Sequence, residues 1–200
     1  MKQVFALTAS ALQNRVDLAT GEISGADLSV RRLSDLRECF ADEAAYQARL
    51  LLGDETVYQV ASVERAGPGA LSYGLGTVYP GRVGAEYFLT KGHYHAHRED
   101  AEVYIGLAGQ GGLVLENEDG ENGFVPLGLG QIVYVPGSTA HRSVNTADEP
   151  FRYLGVYASD AGHDYDSIAT SNFQLVVVAG PEGPEAIERT PHPFRTGGDQ

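Results

Sequence analysis

From Thr56 onward the apolar residues of this chain recur every second position, which restricts it to strands with one face turned toward a core. Short runs rich in β-branched and aromatic residues alternate with Gly- or Pro-bearing turns over 57–63, 71–79, 86–90, 102–107, 112–116, 123–125, 132–135, 151–157 and 173–178. Many short strands at close spacing predict a barrel or jelly roll, where closure removes unpaired edges. The 25 glycines and 9 prolines, against one Met and no Trp, agree with a turn-rich all-β chain rather than a helical bundle. A length of 200 residues suits one domain with decorated termini. The expected layout is an N-terminal extension over 1–55 packed on the barrel, the barrel over 56–180 and a C-terminal tail over 181–200. Within the extension, Asp42 to Gly53 reads as a short helix, with Asp42 capping its free N–H groups and Gly53 closing it.

The net charge of −13 repels the phosphates of nucleic acid and of anionic membranes, so both are excluded as partners at this stage. The same field repels a small anionic substrate, which would then require a local cluster of Lys, Arg, His or backbone N–H donors. The lone Cys39 cannot close an internal disulfide, and this fits a reducing compartment. No apolar stretch approaches the ~20 residues that span a bilayer. The apolar run over 4–12 contains Ala9-Ser10-Ala11, similar to a signal-cleavage site. A single Lys2, hydroxyls inside the run and the absence of a cysteine pair oppose export, so a cytoplasmic protein is expected.

The chemistry-bearing residues concentrate in two places. His93, His95 and His97 alternate in Lys91-Gly92-His93-Tyr94-His95-Ala96-His97, so His93 and His95 can point into one cavity if the segment is extended. Glu102 follows at the start of the next apolar run, and His141 comes just after the turn at Pro136-Gly137-Ser138. Three imidazoles and one carboxylate would hold a divalent metal and leave positions open for water or substrate. Taken alone, an H-x-H pair reads first as two satisfied surface or core histidines. His97 shares the alternation but can fall past the end of the strand and reads as a non-ligand, and His192, between prolines, as solvated.

Two longer patterns separate these readings. Gly92-His93-Tyr94-His95 with Glu102 and Gly109, then Gly130, Pro136, His141 and Asn145, resemble the two cupin motifs, with Ser138 standing where a glycine is common. The spacing H-x-H-x6-E is longer than in most cupins and resembles the cupin-type glucose-6-phosphate isomerases of archaea and some bacteria. Ser29-Val30-Arg31-Arg32-Leu33-Ser34-Asp35, Tyr79-Pro80-Gly81, Thr90-Lys91-Gly92-His93, Ala101-Glu102-Val103-Tyr104, Val133-Tyr134-Val135-Pro136, Ala140-His141-Arg142 and Asp160-Ala161-Gly162-His163-Asp164-Tyr165 are similar to that family's blocks, in order.

The resemblance implies a single cupin jelly-roll barrel acting as a homodimer that interconverts glucose 6-phosphate and fructose 6-phosphate. It implies His93, His95, Glu102 and His141 as ligands of one divalent metal, Fe2+ first, with Mn2+, Zn2+, Ni2+ and Co2+ also compatible. It implies Glu102 as the catalytic base, and Thr90, Gly92, Tyr104, Tyr157 and His163 around the sugar phosphate. Gly76 falls where the family often carries a threonine near the phosphate, and the adjacent Thr77 is the expected substitute. Lys91 is expected on the face away from His93, and Arg31 and Arg32 as surface charges. Two other readings stay open: a cupin metalloenzyme of different activity (a dioxygenase or another sugar-phosphate isomerase), and a non-catalytic sugar-binding cupin.

Overall fold

The computed structural model describes residues 12–169 and 172–189. The chain opens with a two-stranded ribbon, β1 (Val16–Asp17) and β2 (Glu22–Ile23), followed by β3 (Asp27–Arg32), a 3-10 segment (Leu33–Cys39) and helix α1 (Glu43–Leu52). The barrel strands follow: β4 (Thr56–Val63), β5 (Leu71–Val78), β6 (Arg82–Val83), β7 (Glu86–Tyr87), β8 (Glu102–Ala108), β9 (Gln110–Asn117), β10 (Asn122–Gly128), β11 (Ile132–Val135), β12 (Thr139–Asn145) and β13 (Phe151–Ala158). A short helix, α2 (Asp166–Ala169), and a hairpin, β14 (Leu175–Gly180) and β15 (Gly183–Glu188), complete the described chain.

The strands form an all-β jelly roll of antiparallel layers. One layer runs β11-β8-β13-β5-β4-β3. The facing layer consists of β10-β9-β12 and β15-β14-β7-β6, joined by the extended segment after β7. That segment lies along β12, with a Leu89–Val144 bridge and a His93–His141 bridge. The main core fills the space between the layers, with Phe88, Phe151, Leu113, Leu127, Val78 and Val144 among its buried side chains.

The helix expected over 42–53 forms as Glu43–Leu52. The Asp42 side chain accepts from the Ala45 N–H at 2.9 Å, and the Gly53 N–H donates to the Leu50 carbonyl at 3.1 Å with a φ of 147° that favours glycine. Tyr46 anchors the helix, buried, with its hydroxyl donating to the Leu33 carbonyl at 3.0 Å.

Three features differ from the sequence reading. The extension supplies β3, the edge strand of the larger sheet, whose residues are exposed throughout and so carry no alternation. The apolar run over 86–90 is a strand only at Glu86–Tyr87, and beyond it pairs with β12 through single bridges. The stretch read as a tail from 181 contains β15, because Pro181 and Glu182 make the two-residue turn of a hairpin in which Gly180 faces Gly183. His192 lies outside the described residues.

Replacing the α1 cap by Asp42→Ala is expected to lower stability by about 1 kcal/mol. Urea unfolding followed by far-UV circular dichroism checks this, with an unchanged slope and an earlier midpoint as the result.

Candidate metal centre

The backbone places the histidines before any side chain acts. His93 and His141 face each other as a reciprocal pair: the His93 N–H donates to the His141 carbonyl at 3.2 Å, and the His141 N–H to the His93 carbonyl at 3.0 Å. On the other side, Tyr94 and Asp164 make the same exchange at 3.1 and 2.8 Å. The segment carrying His93 and His95 is therefore extended and held on both edges, although it is not a regular strand. Glu102 enters from the first position of β8, opposite Val135 on β11 and Tyr157 on β13.

The ligand atoms of His93, His95, Glu102 and His141 all lie within 4.8 Å of one another. Glu102 Oε2 is 3.3 Å from His95 Nε2 and 3.1 Å from His141 Nε2. The opposite ring nitrogens are already committed: His95 Nδ1 to the Asp100 carbonyl at 2.9 Å, and His141 Nδ1 to the Thr139 carbonyl at 3.1 Å. A carbonyl only accepts, so each Nδ1 carries the hydrogen and each neutral Nε2 presents a lone pair to the carboxylate. Lone pairs facing a carboxylate at this range repel unless a cation sits among them. His93 Nε2 and His141 Nε2 are also buried without a hydrogen-bond partner. The donor set fits a divalent metal, with the carbonyl contacts orienting the rings from behind.

The electrostatics agree. Burial pushes the Glu102 carboxyl up, and positive charge on the facing His141 and His95 rings, each then a donor to it, brings it down to about 2, so an ionised Glu102 needs a cation in the cluster, on the rings or between them. Burial, then the neighbouring His141, His163 and His95, keep His93 neutral and well below the usual imidazole value. Glu102 depends on one glycine: a Cβ on Gly155, on the adjacent strand β13 two residues before Glu102's partner Tyr157, would collide with Oε1.

The residues expected around a substrate are distributed unevenly. His163 comes closest, its ring 4.4 Å from that of His93, and burial holds it neutral below the usual value. Tyr104 is buried, its ring 5.7 Å from that of His141. Burial and the adjoining Glu102 carboxylate push its phenol well up, so it stays a donor. Tyr157 faces the site with its ring 6.3 Å from that of His163, and its hydroxyl donates to Glu64 Oε1 at 3.1 Å. Thr90 Oγ1 accepts from the Ser143 N–H at 3.0 Å, which ties it to β12 while leaving its own hydrogen available. Gly92 adopts a φ of 76° and packs against Phe173 and Arg142.

Two expectations are corrected. Thr77 does not substitute for a threonine at Gly76. Strand alternation turns it to the outer face, where its buried Oγ1 lies beside Gly21 without a hydrogen-bond partner. The inner space at Gly76 is filled by the Tyr153 ring, which a Cβ there would strike. Lys91 does not point away from the site, because the left-handed Gly92 breaks the alternation. Its Nζ sits 5.0 Å from the ring centroid of Tyr165. Tyr165 itself stacks on His163 at 5.7 Å and an interplanar angle of 5°, and lies 5.5 Å from His93.

Tyr165 and Glu64 were not singled out from the sequence. The alternation His163-x-Tyr165 contains the signal for the first. Glu64 has none, since it joins Tyr157 only through strand register. His97 is exposed and apart from the four, as expected. Arg32 is engaged with the Asp54 carbonyl at 2.7 Å. No helix among the described residues is long and apolar enough to cross a membrane.

The family described as Glucose-6-phosphate isomerase (GPI) matches residues 30–191. The glucose-6-phosphate isomerase of Thermococcus kodakarensis is 48% identical over 164 residues, covering 82% of this chain and 86% of that protein. That of Pyrococcus furiosus is 46% identical over 165 residues, covering 82% and 87%. Among solved structures, an oxalate decarboxylase of Bacillus subtilis superposes with a TM-score of 0.44 at 23% identity, over 56% of this chain and 29% of that one. The matched span takes in both halves of the His/Glu cluster and every strand from β4 to β15, and the chain belongs to the glucose-6-phosphate isomerase family.

Proposed function

We propose that this protein interconverts glucose 6-phosphate and fructose 6-phosphate with one divalent metal held by His93, His95, Glu102 and His141. The observation that carries this reading is the convergence of imidazole lone pairs on the buried, ionised Glu102 in a chain of this family. A bound metal would act there as a Lewis acid on the sugar's carbonyl and adjacent hydroxyl oxygens. Fe2+ is our first assignment, because mixed imidazole and carboxylate ligation suits it; Mn2+, Zn2+, Ni2+ and Co2+ fit the same donors.

The surrounding residues divide the remaining work. Tyr104 and Tyr157, as neutral phenols, and Thr90 offer hydroxyls for the sugar, and the Gly92 backbone borders the same space. Lys91 beside Tyr165 is the cation placed to meet the phosphate, and Arg31, whose charge is felt at Tyr165, assists. Isomerisation needs one proton moved between adjacent carbons. Glu102, the base implied by resemblance, would be a ligand of the metal and a weakened base while it stays bound. His163 is neutral, close to His93 and free of ligand duty, and we assign it the proton transfer. Self-association as a homodimer is the accompanying reading, supported by exposed Leu28 and Val30 on edge strand β3 and Ile132 and Tyr134 on β11. A cytoplasmic setting belongs to the same reading, supported by the lone thiol of Cys39.

Chelation followed by desalting is expected to abolish conversion of fructose 6-phosphate to glucose 6-phosphate in a coupled assay, and readdition of Fe2+ or Mn2+ to restore it. His141→Ala should lose both bound metal and activity; metal content equal to the native protein would remove the ligand set. Gly155→Ala is expected to weaken metal binding by about 10–100-fold, as for other supporting residues, with the far-UV spectrum unchanged. His163→Asn should lower kcat by about 100-fold or more at full metal content, and native turnover should carry solvent tritium into the product. Complete exclusion of tritium would instead assign a hydride shift.

A further inference from the structure

One guanidinium reaches the outer side of both segments that carry the candidate site. His93 and His95 flank Tyr94, and His163 and Tyr165 flank Asp164. Alternation along the extended segment turns Tyr94 away from the imidazoles of His93 and His95. The rings of His163 and Tyr165 stack on one side of their own segment, and the Asp164 carboxylate leaves on the other. The main chain joins the two segments at these middle residues, through the reciprocal Tyr94–Asp164 bonds at 3.1 and 2.8 Å.

Arg98 spans that junction from outside. Its guanidinium lies 4.3 Å from the ring centroid of the buried Tyr94. Nη2 donates to Asp164 Oδ2 at 2.6 Å and to Ser167 Oγ, on α2, at 3.0 Å. Nη1 donates to the His95 carbonyl, and Nε to Glu118 Oε1 at 3.1 Å. The Ser167 contacts first, then Arg98, hold the Asp164 carboxyl at about 2, so the pair is charged at neutral pH. Stacking on a ring while donating in several directions takes a planar fork, which lysine lacks. The other main-chain ties between the segments lie before His163: the Ala96 N–H to the Gly162 carbonyl at 3.5 Å, and the His97 N–H to the Ala161 carbonyl at 2.9 Å. An ion pair this near the surface adds little to global stability, so its effect is local.

We propose that Arg98 is a positioning residue, which grips Tyr94 and Asp164 from outside the cavity and thereby sets His163 against His93. The grip stands on this geometry alone. Its effect on turnover rests on the isomerase reading and on His163 as the carrier of the proton. A small displacement of a transferring group is costly to the rate even when the fold is intact.

Arg98→Ala in the full-length protein tests the proposal, with Arg98→Lys as the milder variant that keeps the charge. In hydrogen exchange, the amides of Tyr94 and Asp164 should exchange several-fold faster than in the native protein. Those of His93 and His141, paired on the opposite edge, should keep the native rate. Native rates at Tyr94 and Asp164 in both variants, or an equal rise on both edges, would overturn the grip. In the coupled assay, kcat for fructose 6-phosphate should fall by about 10-fold at native metal content, with KM changed less. In a His163→Asn background the same replacement should lower kcat no further, because the group it positions is gone. Equal losses with and without His163 would mark a general structural role and overturn the assignment. Absence of turnover in the native protein would instead overturn the isomerase reading, and exchange alone would then decide the grip.

Discussion

Three imidazoles and a carboxylate aimed at one buried point set the terms for the rest of this structure. Removing a carboxylate from water costs several kcal/mol unless it is compensated, and Glu102 is met by His141, His95 and the phenol of Tyr104. With His95 and His141 donating through Nδ1 to carbonyls, their inner nitrogens cannot also donate to Glu102 while neutral. The arrangement is self-consistent only with a positive charge at its centre, and a metal supplies one without protonating the rings. The glycine at position 155 follows from the same requirement, because Oε1 occupies the volume a Cβ would take.

Holding those rings in place is the task of the buried polar face behind them. Arg142, next to His141, is buried, yet its charge is spread over carbonyls rather than paired with an acid. Nη2 donates to Lys91 O at 2.7 Å and Nη1 reaches Cys39 O at 3.5 Å. Its guanidinium lies 4.5 Å from the Phe173 ring centroid. Arg189 donates to the same Cys39 carbonyl at 2.8 Å and to Phe173 O at 3.0 Å. Two arginines therefore join the N-terminal extension, the loop leading to His93 and the C-terminal hairpin. A planar donor with several N–H groups can do this where lysine could not. Arg142→Lys would leave carbonyls without donors in the interior, a larger loss than a change of charge alone suggests.

This burial explains what was legible in the sequence and what was not. Strands β8, β11 and β13 present one face to the core, so alternation exposes them, and the same period brings His93 and His95 together. Strand β12 is buried along nearly its whole length, yet reads Thr-Ala-His-Arg-Ser-Val-Asn. Two of its polar side chains reach partners distant in the chain, Asn145 the Val78 carbonyl at 2.8 Å and Arg142 the Lys91 carbonyl at 2.7 Å, and no local pattern encodes that. Strand β3 fails for the opposite reason, being exposed on both faces. The Gly76–Tyr153 exchange is equally non-local. A missing side chain on β5 is matched by a large one on β13, directly opposite in register, and only the paired strands reveal that the space is filled rather than empty.

The overall charge raises the remaining physical question, how a chain of −13 accepts a dianion. Salt confines each exposed charge to a radius of about 8–10 Å, so the acids scattered over the surface matter less than the few groups within that distance of the site. There the balance differs. Glu102 is a contact of the two ring nitrogens and would be neutralised by the metal, Asp164 is paired with Arg98 at 2.6 Å, and the ammonium of Lys91 stands over Tyr165. Glu64 is the remaining acid named beside the site, and it accepts the Tyr157 hydroxyl instead of facing the cavity alone. That bond keeps the phenol protonated as a donor, with burial and the Glu64 charge both pushing its pKa up. It also directs the phenol's hydrogen toward Glu64 until a substrate oxygen competes for it. The acidic surface is compatible with an anionic substrate because the near acids are each paired, and under the proposed assignment the field at close range would be set by Lys91 and a bound metal.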